Sequence, residues 1–225
     1  MWLRWLAVLG AVTLAVAGCG GGSTPPSGVA SKAPGQILAA ASRAIEAANS
    51  VHVVGSVVDN GIHVRLNLHL ARGRGGEGEV SENGLGFALI STGKVLYIQG
   101  SDAFWTHFGG ANAAKLFHGK WLKAPDSGQF GTLGSLATTH GLVGQLLSKH
   151  GKLVRSGRTT VDGQPAVGVV DRTQGGTLFV ATTGRPYPLE IVKRGTNGGY
   201  VKFTDFNQPV KVTPPSKSIS LPNGA

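Results

Sequence analysis

Residues Ile62 to Leu70, IHVRLNLHL, alternate apolar and polar side chains without a fault. Ile62, Val64, Leu66, Leu68 and Leu70 take one face, and His63, Arg65, Asn67 and His69 take the other. Side chains along a strand alternate with a period of two, so a slip of one residue would turn the whole apolar set into water. The segment predicts a strand with one apolar and one wet face. A valine-rich run, Val51 to Val58, precedes it, and Asp59-Asn60-Gly61 between them is a hairpin turn sequence.

The same rhythm continues. Strands are expected at Gly78 to Ser81, Phe87 to Ser91, Lys94 to Gln99 and Lys120 to Lys123, with turns at Glu82-Asn83-Gly84 and Thr92-Gly93. They resume at Lys152 to Thr160, Gln164 to Asp171, Thr177 to Ala181, Leu189 to Arg194 and Gly199 to Asp205. Helical spacing appears in the alanine-rich run Gln36 to Ala48, near Ala111 to Phe117, and in Leu133 to Lys149, where Gly141 and Gly144 predict two short helices. The 36 glycines and 14% charged residues suit a turn-rich β-structure. One large, curved antiparallel sheet or open barrel is the expected architecture.

The amino terminus has its own logic. Arg4 is followed by an apolar run, Trp5 to Val16, then small residues Ala17 and Gly18, the layout of a secretory signal. The run is shorter than the ~20 residues of a permanent membrane helix. The chain's single cysteine, Cys19, comes next, and Val16-Ala17-Gly18-Cys19 resembles the lipobox of bacterial lipoproteins. The resemblance implies cleavage before Cys19, a diacylglyceryl thioether on its sulfur, and anchorage to the outer face of the cytoplasmic membrane. Gly20 to Gly35 is rich in glycine, serine and proline and reads as a flexible tether. The expected division is signal peptide 1–18, tether 19–35, folded domain 36–215 and carboxy-terminal tail 216–225.

Several stretches of the domain resemble the LppX/LprG-type lipoproteins of actinobacteria, structural relatives of the LolA/LolB carriers. They are NSVHVVGSV (Asn49 to Val57), AFW (Ala103 to Trp105), GKWLKAP (Gly119 to Pro125), VDGQPAVGVV (Val161 to Val170), TTGRPYPLEI (Thr182 to Ile191) and VKFTDFNQPVKVTPP (Val201 to Pro215). The resemblance implies an α+β fold: a strongly curved antiparallel sheet, a half-open barrel, with helices on its concave side enclosing a hydrophobic cavity. It also implies an acylated lipid or glycolipid as ligand. The candidate cavity residues are Val53, Val57, Val64, Leu66, Leu68, Phe87, Leu89, Leu96, Ile98, Leu178, Val180, Leu189, Ile191 and Phe203. Candidate rim or lid residues are Trp105, Phe108, Phe117, Trp121, Leu133, Leu136 and Leu146. Core packing is the competing reading of the aromatic group around Trp105 to Phe130.

Catalytic and metal chemistry finds little support. His63 and His69 share a face, but six residues of strand hold them ~20 Å apart, too far to share an ion. GFALISTGKV fails as a phosphate loop, because Val95 stands where Ser or Thr is needed. No GxSxG or HExxH is present, and the aspartates fall mostly at turns and strand ends. No enzyme activity, cofactor or metal is expected. The formal charge of +10 serves solubility or attraction to anionic head groups, and scattered basic residues on an exported chain argue against nucleic acid. The expected function is a monomeric lipid carrier of the cell envelope, tethered by Cys19, with an envelope transporter or acceptor as a further partner. The rival is an envelope sensor that uses the same fold to regulate another protein.

Overall fold

The computed structural model describes residues 24–221. Cys19, the signal sequence and the start of the tether lie outside the described residues. No helix among the described residues is long and apolar enough to cross a membrane.

Twelve strands form one unclosed, curved sheet. The first hairpin, β1 (Ser50–Asp59) and β2 (Ile62–Ala71), pairs Asp59 with Ile62 across Asn60 and Gly61. Both turn residues have positive φ, 50° and 79°, which matches the right-handed twist of the strands they join. β3 (Gly75–Glu82), β4 (Leu85–Ser91), β5 (Val95–Gly100) and β6 (Leu122–Pro125) extend the sheet on one side. On the other side lie β11 (Gly199–Thr204), β10 (Pro188–Lys193), β9 (Thr177–Ala181), β8 (Gln164–Asp171) and β7 (Leu153–Val161), in that order. The sheet is not wholly antiparallel. β12 (Ile219–Ser220) adds to β6 in parallel and covers that edge.

Four helices pack on the apolar side. α1 (Pro34–Glu46) starts with proline at its first turn, where no amide partner is lost, and lies against β7 to β10 and α4 (Thr139–Leu147). Its Ile37, Ala40, Ala41 and Ile45 share one buried core with Leu142, Val143 and Leu147 of α4 and with Val51, Leu68, Leu70, Leu89, Val167 and Val180 of the sheet. α3 (Gly131–Leu136) and α4 are separated at Ala137 and Thr138, not at the expected glycines. Gly141 and Gly144 lie inside α4, and the Thr138 hydroxyl caps it by accepting the Gly141 amide at 3.1 Å.

Two expected boundaries move. The second half of the segment read as a free tether is docked: Pro26 bridges Thr183, the Ser27 amide donates to the Thr182 carbonyl at 2.8 Å, and Val29 is 1% exposed. Composition suggested mobility, but backbone hydrogen bonds and one buried valine hold the segment. At the other end, Leu221 of the expected tail packs against the core.

A cavity beneath a folded-back helix

α2 (Asp102–Phe117) is the element that shapes the open end of the barrel. It follows β5 directly, with the Ser101 hydroxyl accepting the Phe104 amide at 3.1 Å as its amino-terminal cap. Gly110 interrupts it at φ 75°, ψ −180°, a region open essentially to glycine alone. The helix therefore doubles back. Asp102 and His118 would stand about 24 Å apart along a straight helix at 1.5 Å per residue. Instead, His118 Nδ1 and Asp102 Oδ1 meet at 2.8 Å. The hairpin brings Trp105 of one arm onto Phe117 of the other, with ring centroids 5.0 Å apart. Phe104 stands edge-on to Trp105 at 4.9 Å and packs on Phe87 at 5.1 Å.

Beneath this hairpin lies a cavity of about 610 Å³. It unites Phe87 and Ile98 of the expected wall with Trp105, Phe108, Phe117 and Leu133 of the expected rim. Phe130, the last member of the aromatic group around Trp105 to Phe130, lines it too; Leu85, Phe104, Leu122 and Leu221, which the sequence did not single out, complete the apolar lining, and Glu82 and His107 supply polar groups. Phe104 stands in a helix whose reversal brings it to the cavity without a mark in the residue pattern, and Leu221 follows a proline-rich stretch. Phe108 is 66% exposed and Leu116 56%, so α2 carries the two most exposed large apolar side chains of the described residues. The size is ordinary for a ligand site, and the lining excludes water from an alkyl chain.

The remaining expected cavity residues lie elsewhere. Val53, Leu68, Leu89, Leu96, Val180, Leu178 and Phe203 are buried in the hydrophobic core and do not line this cavity. Helices occupy the space that the alternation pattern left to a ligand. Val57, Val64 and Leu66 are half-buried on the same face of the sheet but do not line the cavity. Leu146, Leu178 and Ile191 border a separate crevice of about 100 Å³. Leu136 packs on the core. Trp121 is half-buried away from the cavity lining, and its carbonyl accepts the Ile219 amide at 2.8 Å. Leu189 is a correction of parity: a register shift between Pro188 and Glu190 sends it into a small cluster with Ala166 and Ala181. Those two alternate with Val167 and Val180 of the main core, so Leu189 serves the opposite face of the sheet.

A larger groove, about 950 Å³, crosses β1 to β5, bordered by Arg65, Asn67, Glu79, Gln99, Asp102 and His118. Leu66 and Phe87 of the expected wall also line it, with Val54, Val80 and Tyr200, so polar and apolar side chains share its surface. Near it, His52 and His69 stack with ring centroids 4.0 Å apart. His52 Nε2 lies 2.7 Å from Asn67 Oδ1 and Nδ1 lies 3.3 Å from Asp205 Oδ2. Burial, then the neighbouring His52, lowers the pKa of His69, while Glu77 and Asp205 oppose the shift. No group of three metal-ligating side chains forms among the described residues. The other perturbed groups belong to turns and strand pairing. Asp171 is lowered chiefly by the Gln174 amide, with Gly151 and Thr173 amides adding to it, and Lys202 is raised by its 2.8 Å bond to Asp162.

No family model and no curated protein matches the chain. Among solved structures, Mycobacterium tuberculosis lipoprotein LppX superposes with a TM-score of 0.51 at 16% identity, covering 80% of this chain and 99% of its own. The chain shares the LppX fold. LprF from Mycobacterium bovis is also similar, with a TM-score of 0.49 at 16% identity over 87% of this chain and 100% of its own. The LppX fold places the curved sheet and helices as the resemblance implied, with the parallel β12 edge as the one departure from an antiparallel sheet.

Proposed function

We propose that the protein is an exported, lipid-anchored carrier that holds the acyl chain of a lipid or glycolipid in the cavity under α2. It moves that lipid within the cell envelope as a monomer and without catalysing a reaction. The observation that carries this reading is the 610 Å³ apolar cavity between α2 and β4 to β6, lined by Phe87, Phe104, Trp105, Phe117 and Leu133. Exposing a sixteen-carbon chain to water costs about 12 kcal/mol at ~0.8 kcal/mol per methylene, so a lipid outside a bilayer needs such a container. Likeness of fold to the lipoprotein LppX supports the reading. Cys19 is the proposed attachment point, on the outer face of the cytoplasmic membrane, and two acyl chains there anchor stably where one does not.

The test is mass spectrometry of organic extracts from the purified full chain, beside a variant with the cavity filled by Leu133→Trp. Acyl lipid recovered from the native chain and depleted from the variant supports the carrier. Equal recovery from both overturns it and favours a sensor acting through its surface.

A further inference from the structure

We propose that Glu82 sets the head-group specificity of the cavity under α2, admitting lipids whose head group donates hydrogen bonds without negative charge and rejecting anionic ones. The inference rests on the carrier reading and names the substrate class of that same site. Lysine and arginine outnumber aspartate and glutamate by 21 to 11 in the chain. Yet among the described residues none of those cations lines the cavity, and Glu82 alone brings it a formal charge. Proteins meet phosphate and carboxylate groups with arginine and lysine. This lining offers the opposite sign.

Register puts the carboxylate on the cavity side of the sheet. Glu82 stands opposite Val64 on β2 and Leu85 on β4, and residues directly opposite one another share a face. Leu85 lines the same cavity, so Glu82 holds a position that its cross-strand neighbours fill with apolar side chains. Among the described residues it forms no ion pair. Depth then orders the lining. Ile98, Phe104 and Leu122 are buried, whereas Glu82, His107 and Phe108 are exposed and mark the mouth. A lipid enters with its chain inward and leaves its head beside Glu82. A carboxylate accepts from hydroxyl or ammonium donors and repels an anion.

The experiment uses the full chain, stripped of lipid, with three probes of equal chain length: monolauroylglycerol, dodecylammonium and dodecyl phosphate. Each displaces an uncharged fluorescent probe from the cavity. The native chain should bind dodecyl phosphate most weakly, and the tighter of the other two identifies the donor as hydroxyl or ammonium. Glu82→Gln should strengthen dodecyl phosphate and weaken dodecylammonium by about fivefold each, the order of one charge interaction at a solvated site. Monolauroylglycerol, which carries no charge, should change least. Glu82→Lys should reverse the order of the two ions, and high salt should shrink every one of these differences. Glu79→Gln removes the same charge from the outer face of β3, where Glu79 borders the larger groove, and should leave the ratio of the two ions near native. Tightest native binding of dodecyl phosphate overturns the inference. So does a Glu82→Gln variant that shifts both ions alike or not at all, which would make Glu82 a solvated turn residue with no head group beside it. Failure of all three probes to bind the native chain overturns the carrier reading itself.

Discussion

His52 and His69 occupy paired positions on β1 and β2 and stack with their rings 6° from parallel. Two cations cannot share that arrangement cheaply, and His69 has its pKa lowered by burial and by His52. Below the unfolded value of 6.5 the unfolded chain binds a proton that the folded chain resists. The stability His69 contributes is therefore present above 6.5 and is lost as pH falls through its lower folded value. Glu77 on β3 and Asp205 after β11 face the pair and moderate the loss. His69→Phe keeps the stack and removes the titration. Urea midpoints measured at pH 7.5 and 5 should fall less in the variant than in the native chain; equal falls would remove the pair as the cause.

The doubled-back helix depends on a single backbone conformation. At Gly110 any side chain is strained, at about 1–3 kcal/mol. Gly110→Ala should lower stability by that amount in denaturant melts and speed the release of a bound fatty acid in stopped-flow displacement. Unchanged release would show that the hairpin is no lid.

The docked amino-terminal segment gives a third test. A chain that starts at Ala33 lacks Val29 and the pairing of Pro26 and Ser27 with Thr183 and Thr182. Removing one buried valine from the core costs about 1.5–3 kcal/mol. The chain that starts at Thr24 should be more stable by at least that amount, and equal melting would make residues 24–32 a passive tether.

What the sequence disclosed, and what it hid, divides along physical lines. Hairpin strands were readable because turn residues such as Asn60-Gly61 and Asn83-Gly84 punctuate a period-two pattern. The bounds of β8 and β9 coincide with the expected ones. Alternation tells which face a side chain takes but not what covers it, so Leu68 and Leu89, enclosed in the core, look the same as Phe87 and Ile98, which line the cavity. The bulge at Leu189 breaks alternation without any signature in the residues themselves. Cross-strand partners are also invisible in one strand: along β2 His69 shares a face with His63, whereas its neighbour in space is His52 on β1. Gly110 was one glycine of a Gly-Gly pair, and its position alone could not announce that the helix reverses there.

The division between core and cavity can be measured directly. Leu89 is enclosed in the packed core, whereas Leu133 borders the cavity. Leu89→Ala removes contacts that nothing replaces and should cost about 2–5 kcal/mol. Its lipid content per folded molecule should stay as in the native chain. Leu133→Trp adds bulk, which in a close-packed interior would cost about 1–3 kcal/mol through strain. Beside a 610 Å³ space the larger ring has room, so melting should stay near native while extractable lipid falls. Calorimetric melts with lipid quantification on both variants decide the matter. Strong destabilisation by Leu133→Trp would mean that the space under α2 closes in solution, and the site would then have to be sought on another face of the sheet.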